Sequence, residues 1–199
     1  MNYGMEHLFA TKVYHSLVSD YQVINNQIEK RIDEVDFQYV SKWGKTHLLS
    51  GFGKDVIKEK RFDLLSKVID KHLENYCSEL NFKKIKYNRT SWIAKFPPGD
   101  HAHSHSHMDS DIAGVYYYKT NKEDGYLYFQ TPNPYLEGSL CYTNQGHRWK
   151  HSPQEGKLLL FPGWLKHGVT TNETEDTRMS ISFNILFHHD DFSEGTAMK

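Results

Sequence analysis

The segment 177–187, TRMSISFNILF, alternates almost strictly between polar and apolar side chains. Successive side chains of a β-strand point to opposite faces of its sheet, so the pattern predicts a strand with one apolar and one polar face. We expect the apolar face to pack under helices and the polar face to line an enclosed cavity. The polar face carries Arg178, Ser180, Ser182 and Asn184, and side chains of these types suit an anionic ligand.

A hydrophobic period of two also dominates most of the chain after Asn81. Before that point, helical spacing of apolar residues predicts amphipathic helices at 20–35 and 60–80, with a glycine-containing loop at 41–54. Short strands after two helices are typical of an antiparallel double-sheet roll, a mainly β (α+β) fold buttressed by N-terminal helices. The predicted strands are 8–14, 84–96, 105–118, 126–130, 157–161 and 177–187.

The length of 199 residues predicts a single domain, 1–199. Within it we expect helical support with one N-terminal strand at 1–83, the roll at 84–187 and a tail at 188–199. The stretch 131–156 is polar, contains several Gly and Pro residues and is long for a plain connection. It is therefore a candidate lid or substrate loop.

Charge and cysteine usage exclude several kinds of protein. The chain has 24 basic and 25 acidic residues, so it lacks the positive field that binding to a phosphate backbone requires. This argues against nucleic acid as an electrostatic partner and leaves it open as a substrate. The two cysteines, Cys77 and Cys141, form neither a disulfide framework nor a CxxC metal site, which predicts a reducing compartment. No secretory leader and no run of about 18 apolar residues is evident. We therefore expect a cytoplasmic protein without a membrane partner.

Four histidines at alternate positions, His101, His103, His105 and His107, lead into the strand-forming run 112–118. On an extended chain residues i and i+2 face the same way, so two of these imidazoles can reach one metal ion. Imidazole nitrogens bind Fe(II), Zn(II), Cu or Ni, and the spacing does not choose among them. We expect His101 and His103 to belong to an entry loop instead.

A third metal ligand must come from elsewhere in the chain, and His167, just after a hydrophobic strand, is the candidate. Three protein ligands on one face of an octahedral ion leave three positions open, enough for a bidentate 2-oxo acid and O2. Arg178, helped by Ser180, could then hold the far carboxylate of that acid by charge-assisted hydrogen bonds. Tyr117 falls on the same predicted strand face as His105 and His107.

The motifs HSHMDSDIAGVYY, GYLYFQTP, GKLLLFPGWLKHGV and RMSISFN resemble the 2-oxoglutarate- and Fe(II)-dependent oxygenase superfamily. The resemblance covers about residues 84–187. It is stronger to small oxygenases of phages and bacteria that are related to prolyl-hydroxylase-like enzymes. It implies a double-stranded β-helix (jelly roll), a dioxygenase that uses Fe(II), 2-oxoglutarate and O2, and hydroxylation of a substrate, with a peptidyl substrate as one candidate.

The resemblance also implies roles for individual residues. The metal ligands would be His105, His107 and His167, with Arg178 on the C5 carboxylate of 2-oxoglutarate. The superfamily usually has a carboxylate as second ligand, in H-x-D or H-x-E, whereas the corresponding position here is His107. Asp109 forms an H-x-D with His107 and is the alternative ligand. The other residues predicted for the cosubstrate pocket are Ser180, Tyr117 and Asn184.

Two other functions are compatible with the same residues. One is a cupin-like roll that binds Zn, Ni or Mn and acts as a hydrolase or isomerase. The other is a non-enzymatic roll used for binding or assembly. Neither uses a 2-oxo acid, so the two alternatives assign Arg178 no essential part in activity.

Overall fold

The structure is a computed structural model that describes residues 10–40, 48–51, 53–82, 86–133, 135 and 148–188. None of the helices in these residues is long and apolar enough to cross a membrane. The helices are α1 (Tyr21–Glu29), α2 (Val56–Glu59) and α3 (Asp63–Glu79), with a 3-10 turn at Ile32–Glu34. The strands are β1 (Tyr14–Leu17), β2 (Phe37–Tyr39), β3 (Leu48–Ser50), β4 (Tyr87–Phe96), β5 (Ala102–His105), β6 (Ile112–Lys119), β7 (Leu127–Gln130), β8 (Arg148–His151), β9 (Lys157–Pro162), β10 (His167–Val169) and β11 (Arg178–Phe187).

The strands form two antiparallel sheets. The larger sheet has the order β1-β9-β6-β11-β4-β3-β2, and the smaller has the order β5-β10-β7-β8. Apolar side chains from β6 and β9 of the larger sheet pack against side chains from β7 of the smaller sheet, including Val115, Leu159, Leu127 and Phe129. The sheets are therefore the two layers of a jelly roll, which confirms the predicted fold class.

Strand β11 is central to the larger sheet and pairs with β4 and β6 along most of its ten residues. Its apolar face packs into the main core under α3, which contributes Leu65, Ile69 and Leu73 at intervals of four residues. The five residues of this face, at every second position from Met179 to Phe187, all belong to or pack against this core. The polar face consequently points between the sheets, as the alternation predicts.

The N-terminal part differs from the prediction. In place of the strand expected at 8–14, β1 begins at Tyr14, where pairing with Leu160 of β9 starts. Residues 8 and 9 lie outside the described residues. The helix expected at 20–35 ends at Glu29, and the chain continues as the 3-10 turn.

The second predicted helix, 60–80, is observed over a slightly shorter range. It starts at Asp63 and is preceded by the separate helix α2, because Arg61 adopts a left-handed conformation (φ 54°) that interrupts helical geometry. The loop expected at 41–54 contains strand β3, while 41–47 and 52 lie outside the described residues.

The described residues of the N-terminal part therefore contribute three strands, β1 to β3, rather than one. Strands β2 and β3 have three residues each, too short to show a period, and are defined by their pairing partners. Leu49 pairs with Ala94, and the Ser50 hydroxyl accepts a hydrogen bond from the Ile93 amide at 2.8 Å.

The strand expected at 105–118 is two strands in different sheets. Strand β5 ends at His105 and β6 begins at Ile112, and a turn carries the chain from the smaller sheet to the larger one. Gly163 fixes this crossing turn, since its carbonyl accepts from the His107 amide at 2.8 Å and its amide donates to the Asp111 carbonyl at 3.0 Å.

The connection 131–156 is not loop throughout, because β8 pairs with β7 at its C-terminal end. Residues 134 and 136–147 lie outside the described residues, so the predicted lid stays a prediction. Strand β10, which was not predicted, has three residues and is held between β5 and β7. The strand expected at 84–96 begins at Tyr87 in the described part of the chain.

Candidate functional site

Three of the predicted residues meet at the end of the smaller sheet. His105 closes β5, His107 lies in the crossing turn, and His167 opens β10, where it pairs in register with His105. One ligand atom from each of the three side chains lies within 4.8 Å of the others. Their ring centroids are 4.5 to 5.1 Å apart. Three imidazoles this close can bind one metal ion.

Hydrogen bonds orient two of these rings. Nδ1 of His105 lies 2.7 Å from the His103 carbonyl oxygen, and Nδ1 of His167 lies 2.8 Å from the Leu165 carbonyl oxygen. A carbonyl can only accept, so both Nδ1 atoms carry the proton and both Nε2 atoms keep a free lone pair. Nδ1 of His107 instead lies 3.3 Å from the Asn184 side-chain amide.

Burial keeps two of the three rings neutral. It lowers the pKa of His167 to about 3, with a further contribution from the neighbouring His105. It lowers the pKa of His107 to about 4, where His105 acts in the same direction and Asp109 opposes it. A metal ligand must be a neutral imidazole, so at neutral pH these two side chains are ready to coordinate.

Arg178 is almost completely buried, with 1% of its surface exposed. Its Nη1 donates to the Gly125 carbonyl at 3.1 Å, and its guanidinium carbon lies 4.0 Å from the ring centroid of Phe96. Its Nε is buried and has no hydrogen-bond partner among the described residues. Burial lowers the pKa of Arg178, yet a guanidinium stays charged in proteins. Arg178 is therefore a buried cation whose Nε–H is available to donate a hydrogen bond to a ligand.

The histidines and Arg178 open into one space between the sheets, the inter-sheet cavity, of about 560 Å³. A volume of this size is typical of small-molecule sites. Tyr117 also lines the cavity, and burial raises its pKa to about 12, so its hydroxyl is protonated and able to donate. From β11 the cavity receives the four polar positions, Arg178, Ser180, Ser182 and Asn184.

Other predicted residues lie away from the three-histidine cluster. Asp109 is exposed and borders the cavity, and it is not among the three residues whose ligand atoms converge. His101 and His103 form a separate pair with ring centroids 4.7 Å apart, and His103 is exposed. His107, not Asp109, is thus the residue that the fold brings to His105 and His167.

Sequence reasoning missed two residues that contribute to the site. The Trp92 ring centroid lies 5.8 Å from that of His107, and Trp92 lines the cavity. It pairs with Ser182, so its position on the cavity face of β4 could have been found by alternation. Phe161, at 4.7 Å from His167 between ring centroids, lies in an apolar run where no alternation marks it.

Residues 90–184 match the model of the family described as "Putative 2OG-Fe(II) oxygenase". The matched segment includes the three converging histidines and Arg178. No curated protein sequence matches the chain significantly.

Several solved structures share the fold. A prolyl-4-hydroxylase from Pseudomonas putida is 14% identical with a TM-score of 0.64, covering 91% of this chain and 95% of that chain. HygX from Streptomyces hygroscopicus, solved with nickel and 2-oxoglutarate bound, is 12% identical with a TM-score of 0.66, covering 89% and 83%. The epimerase SnoN from nogalamycin biosynthesis is 11% identical with a TM-score of 0.62, covering 89% and 78%. At these identities the likeness shows the fold alone.

The family match confirms the resemblance that the sequence motifs indicate. The matched segment carries the sequence pattern of 2-oxoglutarate- and Fe(II)-dependent oxygenases, which are oxidoreductases of the dioxygenase class. Fe(II) is the metal of this class, and 2-oxoglutarate and O2 are its cosubstrates.

Proposed function

We propose that the protein is a 2-oxoglutarate- and Fe(II)-dependent oxygenase that hydroxylates its substrate and converts 2-oxoglutarate to succinate and CO2. One observation carries the proposal: a cluster of three histidines and a buried arginine with an unpartnered Nε line the same cavity. The cluster suits a metal ion, and the arginine suits an anion. A 2-oxo dicarboxylate can bind to both, because one of its ends chelates a metal ion and the other is a carboxylate that pairs with an arginine.

In this proposal His105, His107 and His167 hold Fe(II). Their donor set fits the metal, because the Nδ1 hydrogen bonds of His105 and His167 leave both Nε2 atoms free. The exposure of Asp109 favours His107 as second ligand. Such a site has no anionic protein ligand, so charge neutralisation comes from the bound 2-oxo acid.

The cosubstrate end of the site consists of Arg178, Ser180 and Tyr117. Arg178 would donate to the C5 carboxylate through the Nε that lacks a partner among the described residues. The Phe96 ring holds the guanidinium plane, and Gly125 fixes Nη1. The hydroxyls of Ser180 and Tyr117 line the same end and can add hydrogen bonds.

The rest of the chain supplies orientation and shelter from water. When bound, iron and 2-oxoglutarate supply the oxidative chemistry. Phe161 and Leu127 are apolar residues that line the cavity and exclude water from the space beside them. A peptidyl substrate rests on analogy with prolyl-hydroxylase-like enzymes, and a cytoplasmic location rests on the cysteine pattern.

An anaerobic titration tests the proposal. The metal-free protein receives Fe(II) and then 2-oxoglutarate, and the visible charge-transfer band of the chelated oxo acid is followed. We expect the band in the wild-type protein and a much weaker one in Arg178→Ala at the same cosubstrate concentration. Iron binding without any band would contradict the proposal and favour the cupin-like function.

A further inference from the structure

Asn184 occupies a special position beside the metal-binding histidines. It lies on the cavity face of β11, and its side-chain Nδ2 is 3.3 Å from Nδ1 of His107. Its Oδ1 is buried without a hydrogen-bond partner among the described residues. A buried amide oxygen of this kind is unfavourable, because it has lost its water without gaining a donor.

The direction of this hydrogen bond decides whether His107 can bind a metal through Nε2. If the amide N–H donates to Nδ1, then Nδ1 is the unprotonated nitrogen, and the proton of the neutral ring sits on Nε2. That tautomer leaves Nε2 without a lone pair. His105 and His167 both have the opposite tautomer, with the proton on Nδ1.

The two ends of an asparagine amide have nearly the same shape, so a half-turn about the last side-chain bond exchanges them within the same space. After that rotation the amide oxygen faces Nδ1 of His107 and accepts a hydrogen bond from Nδ1–H. The oxygen gains a donor, and His107 acquires the same tautomer as the other two histidines. The amide nitrogen then takes the place of the unpartnered oxygen and can donate to an oxygen atom of a bound ligand.

We propose that Asn184 is a positioning residue whose side-chain oxygen accepts a hydrogen bond from Nδ1–H of His107 and so directs Nε2 of His107 to the metal. The inference rests on the proposed metal centre. It adds a hydrogen-bond partner for the one histidine of the cluster that has no backbone carbonyl at Nδ1 in the described structure. Partners of this kind typically contribute 10- to 100-fold, as an order of magnitude, to metal affinity.

The proposal distinguishes the two chemical functions of the amide. Asn184→Asp keeps an acceptor and removes the donor, so it should preserve the tautomer of His107. Asn184→Leu removes both and should lose it. Thr90→Val is the matched control, because Thr90 lies opposite Asn184 on β4 and lines the same cavity without contacting the ring nitrogen.

The first readout is long-range 1H–15N NMR of the histidine rings in the metal-free and Zn(II)-bound proteins, which shows which nitrogen carries the proton. We expect Nδ1–H for His107 in wild type, Asn184→Asp and Thr90→Val, and loss of this preference in Asn184→Leu. A wild-type His107 with its proton on Nε2 in both states would overturn the inference. So would a switch of tautomer in Asn184→Asp, which stays informative even if Asn184→Leu fails to fold.

The second readout is the anaerobic affinity for Fe(II). Asn184→Leu should bind Fe(II) about 10- to 100-fold more weakly than wild type, and Asn184→Asp close to it. Equal affinities in wild type and Asn184→Leu would contradict the inference. If the wild-type protein itself does not bind Fe(II), the proposed function fails, whereas the NMR of His107 still tests the role of Asn184.

Discussion

Buried Arg178 and largely buried Arg89 lie on opposite faces of the larger sheet and have opposite hydrogen-bond environments. Arg89 faces the helices, where Nη2 is 3.0 Å from Asp55 and Nε donates to the same carboxylate. Its Nη1 donates to Ser66 at 3.1 Å. Arg178 faces the inter-sheet cavity, where Nη1 has one carbonyl partner and Nε has none among the described residues.

This difference separates a structural arginine from a ligand-binding one. A buried guanidinium is costly unless its charge and its donors are matched. Arg89 is matched within the chain, so its contribution is to the fold. Arg178 is left incomplete next to a cavity, and Asp100 and Asp124 contribute charge that favours its protonated form. An anionic ligand would complete Arg178, which is why we propose the cavity, and not the helix layer, as the functional face.

Replacing Arg89 should have the largest effect on stability. Arg89→Met leaves the Asp55 carboxylate without its cation in a mostly buried site, and we expect the free energy of unfolding to fall by about 3 kcal/mol. Equilibrium unfolding in urea measures this change. The affinity for 2-oxoglutarate should be unaffected in the folded protein.

The matched control is Arg31→Met, because Arg31 forms an exposed ion pair with Glu34 at 3.7 Å. Exposed pairs contribute about 0–1 kcal/mol, so this variant should be close to wild type. If Arg89→Met destabilised the protein no more than Arg31→Met does, the contacts of Arg89 with Asp55 would not stabilise the fold.

Replacing Arg178 should have the reverse effect. Arg178→Met removes a buried cation with incomplete partners, and we expect the unfolding free energy to change by less than about 1 kcal/mol. The affinity for 2-oxoglutarate should fall about 100-fold, since the carboxylate loses its charged partner. The charge-transfer titration and urea unfolding measure the two effects on the same sample. A large loss of stability with unchanged cosubstrate affinity would make Arg178 a second structural arginine.

The histidine end of the cavity depends on backbone contact more than on charge. A Cβ atom at Gly163 would collide with the carbonyl oxygens of Ser110 and His107 in the crossing turn. Gly163→Ala should therefore displace His107 and weaken Fe(II) binding by about 10-fold, with cosubstrate contacts at Arg178 retained. Gly51→Ala, where a Cβ meets nothing within 4 Å, is the control. Equal Fe(II) affinities in both variants would show that the turn tolerates the added methyl group.

The sequence predicted which side chains face the cavity better than it predicted the path of the chain around them. The parity of β11 correctly placed Arg178 and Asn184 on the cavity face and Phe183 in the core. Alternation is a local property that the pleat of a strand enforces, so it survives without knowledge of the partners. The short strands β2, β3 and β10 carried no such signal, because three residues cannot establish a period and their existence depends on neighbouring strands.

For His105, His107 and Tyr117, the prediction of a shared face was right, but the continuous strand on which it was counted was wrong. Parity counted along a continuous strand 105–118 placed His105, His107 and Tyr117 on one face. The chain turns between β5 and β6 and changes sheets, yet all three side chains line the cavity. They do so because the two sheets face each other, so the inward side of one continues as the inward side of the other. Two features could not be predicted, because both depend on long-range contacts. One is that Nδ1 of His107 has no backbone carbonyl beside it among the described residues, and the other is that Nε of Arg178 has no hydrogen-bond partner among them.

A half-buried group that can lose its charge behaves differently from the two arginines. His151 on β8 packs against Phe129, with ring centroids 5.7 Å apart, and burial together with the nearby Lys157 lowers its pKa to about 4. Whereas Arg178 stays charged, His151 responds to burial by releasing its proton. In the unfolded chain His151 takes up a proton below its ordinary pKa of 6.5, but in the folded protein only below about 4. Between these values the unfolded state binds more protons, so stability rises with pH.

Replacing His151 should give the smallest effect. His151→Gln cannot titrate, and its unfolding free energy should depend less steeply on pH between about 4 and 6.5, by less than one proton since the ring is half exposed. Urea unfolding of the metal-free protein at several pH values measures the slope. His103→Gln, which removes an exposed histidine, is the matched control. Identical slopes in wild type and His151→Gln would mean that His151 keeps its proton on folding, and that burial alone does not decide which groups of the roll stay charged.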